Sequence, residues 1–311
     1  MRLLVTGITG FIGSYLAEEV KQRGNIDLTV VVRPSNLKRI EYLKNLGLPD
    51  IRVVPSNILD PYIVRLPYNE YDAVINLVGP RSNNTDVLWQ ANVEYVRRLA
   101  MLLKNINVGR VVHMSSIGVY GLPKGSPTIT EEHVLAPTDW YGSTKLMGEQ
   151  IWQDFYRRTG VPVRMLRASW VIGHGSHLLD KYLFTAFGHG IRLVMPLATP
   201  VNAIYARDVA DACLKAALAS GDGAKSYNIN LAERIAFRDF LKIINVELKG
   251  LKFPLIIPKI ALRVLSRKIT FFRGLLNDAY YDPTKVKDEL GFTPRYDLAA
   301  MVREISTSYG T

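Results

Sequence analysis

At 311 residues, with 48% hydrophobic and 22% charged residues, the chain has the length and composition of an ordinary globular protein of one large or two moderate domains. Its single cysteine, Cys213, excludes an internal disulfide and favours a reducing compartment, so we expect a cytoplasmic protein. The net charge of +11 favours an anionic partner, but no run of basic residues interleaved with aromatic ones is present, so we predict no nucleic-acid binding.

Short runs rich in Val, Ile and Leu predict the strands of a parallel sheet. The runs have little polar alternation, which is typical of strands that are buried on both faces and covered by helices. They occupy residues 2–7, 28–33, 51–56, 73–79, 110–116 and 163–169. Helix-length segments lie between them, so the pattern predicts an α/β fold with a doubly wound parallel sheet, the Rossmann fold.

After about residue 170 the pattern loosens, and glycines, histidines and prolines interrupt it. Residues 205–218 predict a loop that leads into a helix. We expect a dinucleotide-binding domain formed by residues 1–168 plus about 204–230, and a smaller, discontinuous substrate-binding lobe formed by about 169–203 plus 231–311.

The apolar stretch "LIIPKIALRVL" (255–265) is interrupted by Pro258, Lys259 and Arg263, so it predicts no membrane span. Packing within the lobe is its simplest interpretation. Cover for a hydrophobic substrate and contact with a membrane surface are the alternatives.

The stretch "TGITGFIG" (6–13) lies between the first predicted strand and the first predicted helix. Gly7 allows a tight turn, Gly10 allows a pyrophosphate to approach the backbone, and Gly13 allows the helix to pack on the sheet. The N-terminus of the helix then presents N–H groups to the phosphates. The sequence therefore predicts a dinucleotide site at this turn.

The end of the second predicted strand indicates which dinucleotide is bound. An NAD-binding fold ends this strand in an acidic residue, which accepts hydrogen bonds from the ribose. Here the strand ends in Arg33, with Lys38 and Arg39 close behind. Because these cations pair with a 2′-phosphate, we predict NADP as the cofactor, with NAD as the second choice.

Several motifs, taken in order, resemble one known family. The chain is similar over nearly its whole length to the extended short-chain dehydrogenase/reductases, the NAD(P)-dependent sugar epimerase/dehydratase group. The motifs are "TGITGFIG" (6–13), "SSIGVYG" (115–121), "YGSTK" (141–145), "LRASWVIG" (166–173), "YARDVADA" (205–212) and "YDPTKVKDELGFTPR" (281–295).

The resemblance implies three catalytic residues. Tyr141 would be the general acid/base, Lys145 its activator and a ribose ligand, and Ser116 the residue that hydrogen-bonds the reacting oxygen. Ser115 is the competing serine, and the "GVYG" that follows favours Ser116. The chemistry agrees, because a phenol with an ordinary pKa of about 10 needs nearby positive charge to act as a base at neutral pH. Residues four apart on a helix share one face, which places Lys145 beside Tyr141.

The resemblance also implies further cofactor contacts. Asn92 would order the site behind the lysine, Asn57 and Ile58 stand where relatives carry the Asp-Leu that reads adenine, and Val78 and Gly79 would border the ribose. The other cofactor-binding residues that it implies are Thr9, Phe11, Ile12, Leu77 and Ala168. His174 and His177 lack the spacing to carboxylates that a metal site needs, so no metal is predicted.

For the substrate, the resemblance implies a nucleoside-diphosphate sugar bound by Arg81, Ser116, Trp170 and Arg273. Trp170 departs from the family, because many hexose 4-epimerases carry an asparagine there. A 4-epimerase or a 4-keto reductase of such a sugar is the first hypothesis. A reductase of a hydrophobic compound, with Trp170 lining an apolar pocket, is the second, and a non-catalytic NADP sensor is the third. Relatives also dimerise through the helices that carry Asn92 and Tyr141, so we expect a homodimer.

Overall fold

The computed structural model describes residues 1–48, 51–55, 64–125, 127–176, 191–247, 253–266 and 274–308. The strands are β1 Arg2–Thr6, β2 Asp27–Val32, β3 Ile51–Pro55, β4 Glu70–Tyr71, β5 Ala73–Asn76, β6 Asn107–Val108, β7 Val111–Ser116, β8 Thr128–Ile129, β9 Val163–Ala168, β10 Trp170–Ile172, β11 Ile191–Val194, β12 Ala203–Tyr205, β13 Ala224–Ile229, β14 Phe253–Ile256 and β15 Tyr280–Tyr281. The helices are α1 Phe11–Arg23, α2 Glu41–Asn45, α3 Thr85–Trp89, α4 Tyr95–Leu103, α5 Trp140–Thr159, α6 Ala206–Leu218, α7 Phe237–Glu247, α8 Lys259–Ser266, α9 Thr284–Leu290 and α10 Leu298–Ser308.

A seven-stranded parallel sheet with the order β13-β9-β7-β5-β1-β2-β3 forms the centre of the fold. The order reverses between β1 and β5, which confirms the predicted doubly wound sheet. All six strands predicted from apolar runs lie in it, although β5 ends at Asn76, before the predicted end at residue 79. The seventh strand, β13, has the mixed sequence "AKSYNI" and so escapes an apolar-run criterion.

Both faces of the sheet are buried because side chains alternate along each strand. Leu3 and Val5 of β1 belong to the core cluster that α1 and α6 cover. Leu4 lies between them in sequence and belongs to a second cluster with Leu99 of α4 and Trp152 of α5. The apolar runs without polar alternation are the sequence signature of this two-sided burial.

The helix α5 begins and ends as its sequence dictates, whereas a long helical segment before it is interrupted. In α5 the Asp139 carboxylate accepts a hydrogen bond from the Gly142 N–H at 2.7 Å, and Gly160 closes the helix in the left-handed conformation at φ 71°. The helix-length segment at residues 86–107 is interrupted, because a π-helical turn at Gln90–Glu94 joins α3 to α4. Asn92 lies on this turn.

Short parallel strand pairs bring later segments of the chain to the carboxyl end of the main sheet. β8 pairs with β15, and β10 pairs with β12. The division into two domains remains a prediction. The strand β13, which belongs to the predicted first domain, pairs with β9 in the main sheet. Among the described residues, no helix combines the length and apolar character needed to cross a membrane.

Candidate active site

A cavity of about 200 Å³ opens at the carboxyl ends of β7 and β9. In doubly wound folds this edge of the sheet is where ligands bind. Residues from the first half of the chain and from later segments line it together, among them Arg81, Ser116, Tyr141, Trp170, Asn202 and Tyr281. The structure therefore brings together Arg81, Ser116, Tyr141 and Trp170, which the sequence places up to about 90 residues apart.

Tyr141 and Ser116 meet because the turn after β7 packs against the start of α5. Ser116 is the last residue of β7, its side chain accepts from the Gly118 N–H at 3.1 Å, and it lines the cavity together with Tyr141. A Cβ on Gly142 would overlap the carbonyl oxygen of Gly118. Gly142 therefore allows the close approach, and sequence reasoning misses this role although Gly142 lies inside the motif "YGSTK".

Burial raises the pKa of Tyr141, Arg81 and the neighbouring Ser116 hydroxyl act to lower it, and Asp139 raises it further. The Arg81 guanidinium carbon lies 5.8 Å from the centroid of the Tyr141 ring. Sequence reasoning expects the positive charge of Lys145 to lower this pKa. In the structure, Arg81 is the side chain whose charge does so, and burial outweighs it.

Lys145 is almost fully buried, and its Nζ donates a hydrogen bond to the Met114 carbonyl oxygen at 2.9 Å. Burial lowers the pKa of Lys145 to about 8, and the charge of Glu149 acts in the opposite direction. A Cβ on Gly79 would overlap the lysine Nζ. Gly79, which is predicted to border the ribose, therefore leaves room for the end of the Lys145 side chain.

Asn92 and Lys145 both approach Gly79 with the ends of their side chains. The Asn92 Nδ2 donates to the Thr144 hydroxyl at 3.0 Å. Its buried Oδ1 has no hydrogen-bond partner among the described residues and faces the open side of Gly79. Asn92 lies on the π-helical turn between α3 and α4, whereas Lys145 lies on α5.

A buried ion pair between Glu149 on α5 and Arg167 on β9 lies next to the site. Both oxygens of Glu149 accept from Arg167, at 3.0 and 2.7 Å, and Arg167 also donates to the Tyr120 hydroxyl at 2.8 Å. The Ser115 hydroxyl donates to Glu149 at 2.5 Å, whereas Ser116 lines the cavity. Ser115 is therefore occupied in this network. Sequence reasoning misses Glu149, which lies one helical turn beyond Lys145.

The glycine turn has the shape that a diphosphate requires. Gly7 has φ 82°, and a Cβ there would lie 2.9 Å from the backbone of Leu77 and Val78. A Cβ on Gly13 would overlap the Ile8 carbonyl oxygen. No side chain caps the N-terminus of α1 at Gly10. A close-packed turn with glycine at its tight positions, followed by a helix N-terminus without a side-chain cap, fits a dinucleotide phosphate.

The other predicted cofactor residues lie on several elements. Thr9 lies on the glycine turn, Phe11 and Ile12 are the first two residues of α1, and Ala168 is buried at the end of β9, opposite Ser116 in the β7–β9 register. Arg33, Lys38 and Arg39 are exposed at and after the end of β2, where the sequence places them. Asn57, Ile58, Arg273 and His177 lie outside the described residues.

His174 contributes its backbone oxygen, which accepts from the Tyr15 hydroxyl at 3.3 Å. Among the described residues, no group of three or more His, Cys, Asp and Glu side chains has the arrangement to hold a metal ion.

The model of the NAD dependent epimerase/dehydratase family matches residues 3–231 of the chain. The chain belongs to this family. It is 32% identical over 180 residues to the D-erythronate dehydrogenase of Cupriavidus necator, and 32% identical over 165 residues to the UDP-glucose 4-epimerase of Bacillus subtilis. These alignments cover 54% and 50% of this chain, and 54% and 48% of those proteins. The chain thus spans about half the length of these two relatives.

The fold is also that of a solved family structure. The UDP-glucuronic acid 4-epimerase of Bacillus cereus in complex with NAD superposes with a TM-score of 0.79 at 18% identity, over 99% of this chain and 96% of that one. At this identity the likeness establishes the fold.

Proposed function

We propose that the protein transfers hydride at a carbon that carries a hydroxyl or keto oxygen, as a 4-epimerase or 4-keto reductase of a nucleotide sugar. The observation that carries the proposal is that Ser116 and Tyr141 together line a cavity at the ligand-binding edge of the sheet. Lys145 lies one turn further along the same helix. Family membership supports the reaction class, and the names of several relatives support the nucleotide sugar.

The side chains of the chain have distinct roles in this proposal. A bound nicotinamide would take or give the hydride. Ser116 and Tyr141 would hold the reacting oxygen by hydrogen bonds, and Tyr141 would move the proton on or off that oxygen. Arg81, whose charge acts to lower the pKa of Tyr141, would stabilise negative charge on the phenol oxygen, and Lys145 would contact the ribose of the dinucleotide.

Tyr141→Phe tests the catalytic role. We expect a loss of turnover of about 100-fold or more, because the proton donor is removed. The matched control is Tyr156→Phe, which removes a phenol hydroxyl near the end of the same helix, where it contacts Asp222. If Tyr141→Phe turns over nucleotide sugars as fast as the parent does, Tyr141 is not the proton donor and the proposal is wrong. If neither protein turns over any of them, a non-catalytic dinucleotide sensor is the function that remains.

A second candidate, a reductase of a hydrophobic compound, is favoured by one observation. The cavity has apolar lining residues beside Trp170, including Ile117, Val201, Phe237 and Leu275. A thermal-shift screen with UDP, dTDP, GDP and CDP separates the two candidates. A nucleotide that binds the folded chain raises its melting temperature by linkage. Stabilisation by one nucleotide supports the sugar substrate, and no response to any supports the hydrophobic one.

We propose NADP as the cofactor, with NAD as the alternative that the family description supports. The exposed cations Arg33, Lys38 and Arg39 support a 2′-phosphate contact. Arg33→Ala should weaken NADP by about tenfold and leave NAD affinity unchanged, and Arg157→Ala, an exposed arginine at the end of α5, is the control. Equal affinities for NAD and NADP, unaffected by Arg33→Ala, would refute the phosphate contact.

We also propose a cytoplasmic homodimer. Exposed apolar side chains on the helices that carry Asn92 and Tyr141 support the dimer: Val87, Trp89, Met101 and Trp140. Sedimentation velocity tests it. The parent should sediment as two chains, and Met101→Lys should sediment as one, because a charge in the interface is left without a partner. A parent that sediments as one chain would contradict the proposal.

A further inference from the structure

Positive charge is concentrated in one part of the C-terminal region. Residues 248–277 contain seven lysines and arginines and no aspartate or glutamate. This segment therefore carries seven of the eleven net positive charges of the chain. The rest of the sequence is close to balanced, so the basic character is a local property rather than a general one.

The same segment exposes apolar side chains. Ile256 ends β14 with 65% of its surface exposed, and Ile260 and Val264 on α8 are 72% and 59% exposed. Ile260 and Val264 are four residues apart and therefore lie on one face of the helix. Leu262 is fully buried and attaches α8 to the lobe. Packing within the lobe, the simplest interpretation of this stretch, accounts for Leu262 and does not account for the exposed three.

We propose that this face of α8 docks onto the surface of an anionic lipid membrane. The α8 surface consists of Ile256, Ile260 and Val264, with Lys259 and Arg263 beside them on the helix. A short helix with an apolar face and basic neighbours binds in the plane of a bilayer interface, where its apolar side chains enter the acyl boundary and its cations meet the headgroups.

Charge decides between a membrane and a second copy of the chain. A symmetric contact through the α8 surface would bring two strongly positive segments together, which is unfavourable. An anionic lipid surface neutralises the same charge. Nucleic acid is disfavoured as the partner because exposed Ile and Val side chains neither stack on bases nor pair with phosphates.

The test uses the full chain and sedimentation with large vesicles of phosphatidylcholine, either alone or mixed with phosphatidylglycerol. We expect binding to the mixed vesicles, weak binding to the neutral ones, and loss of binding at high salt. Ile260→Ser/Val264→Ser keeps the charge and should lower the partition coefficient by about tenfold. The control is Leu218→Ser on α6, because Leu218 is 59% exposed, as Val264 is.

Four results would overturn the proposal. One is an absence of binding to the anionic vesicles. Another is equal binding to both vesicle types. The third is a double variant that binds as the parent does. Because the substituted side chains are exposed, the melting temperature of both variants should match that of the parent. If sedimentation velocity without lipid shows that the double variant alone loses self-association, a second copy is the occupant and the membrane proposal is wrong.

Discussion

The buried pair of Glu149 and Arg167 gives the sharpest stability prediction. Their side chains are 0% and 3% exposed and are joined by two hydrogen bonds. Glu149→Gln removes the negative charge and leaves the Arg167 guanidinium buried without a counter-charge. Breaking a buried pair from one side costs about 3–5 kcal/mol. Since whole domains are stable by about 5–15 kcal/mol, the variant should lose a large share of its stability.

Urea unfolding at neutral pH measures this loss. Asp154→Asn on the same helix is the control, because the Asp154–Arg157 pair is exposed and exposed pairs contribute little. The double variant Glu149→Gln/Arg167→Met should recover much of the stability, since replacing both charges removes the unpaired one. A loss below about 1 kcal/mol in Glu149→Gln, or a double variant no more stable than the single one, would show that the pair does not act as an isolated buried charge pair.

Three other predictions follow from the site. Gly79→Ala should displace the flexible end of Lys145 and lower kcat by about tenfold in steady-state kinetics. The melting temperature should change little. An unchanged kcat would contradict the role of Lys145. Gly13→Ala should overlap the rigid Ile8 carbonyl, cost about 1–3 kcal/mol in urea unfolding and weaken dinucleotide binding in calorimetry, and unaltered binding would contradict the phosphate site. The pKa of Lys145, about 8, lies below its unfolded value near 10.5. Between these two pH values the unfolded chain holds more protons than the folded one, so the stability contributed by this residue rises with pH. Lys145→Met should flatten the dependence of stability on pH, and an identical slope in parent and variant would be evidence against the lowered pKa.

Local sequence is enough to predict the sheet and the catalytic motif. A strand buried on both faces must be apolar throughout, so runs such as residues 28–33 are recognisable without tertiary information. The glycine turn is recognisable because only glycine fits where a Cβ would meet backbone, as at Gly7 and Gly13. These signals depend on neighbours in the chain, and for that reason the sequence carries them.

The features that sequence reasoning misses depend on contacts between distant segments. Arg167 lies in an apolar run, and a charge at such a position indicates a buried partner, but the run does not say that the partner is Glu149 on α5. The strand β13 is held by pairing with β9 rather than by its own composition. Asn92 is oriented by a π-helical turn that the periodicity of residues 86–107 does not reveal.

The two cations near Tyr141 differ in how they respond to solvent and pH. Arg81 lines the cavity beside the ring, where its charge is open to screening by water and to pairing with an anionic substrate. Lys145 is enclosed, so its charge acts with little screening, but burial has lowered its pKa to about 8 and its charge is lost above that pH. Glu149 opposes that loss from the next turn of α5, and Arg167 holds Glu149 in place. The buried ion pair therefore supports the charge state of Lys145 as well as the packing of α5 on the sheet. Loss of the pair would affect both the stability of the fold and the proposed chemistry at the site.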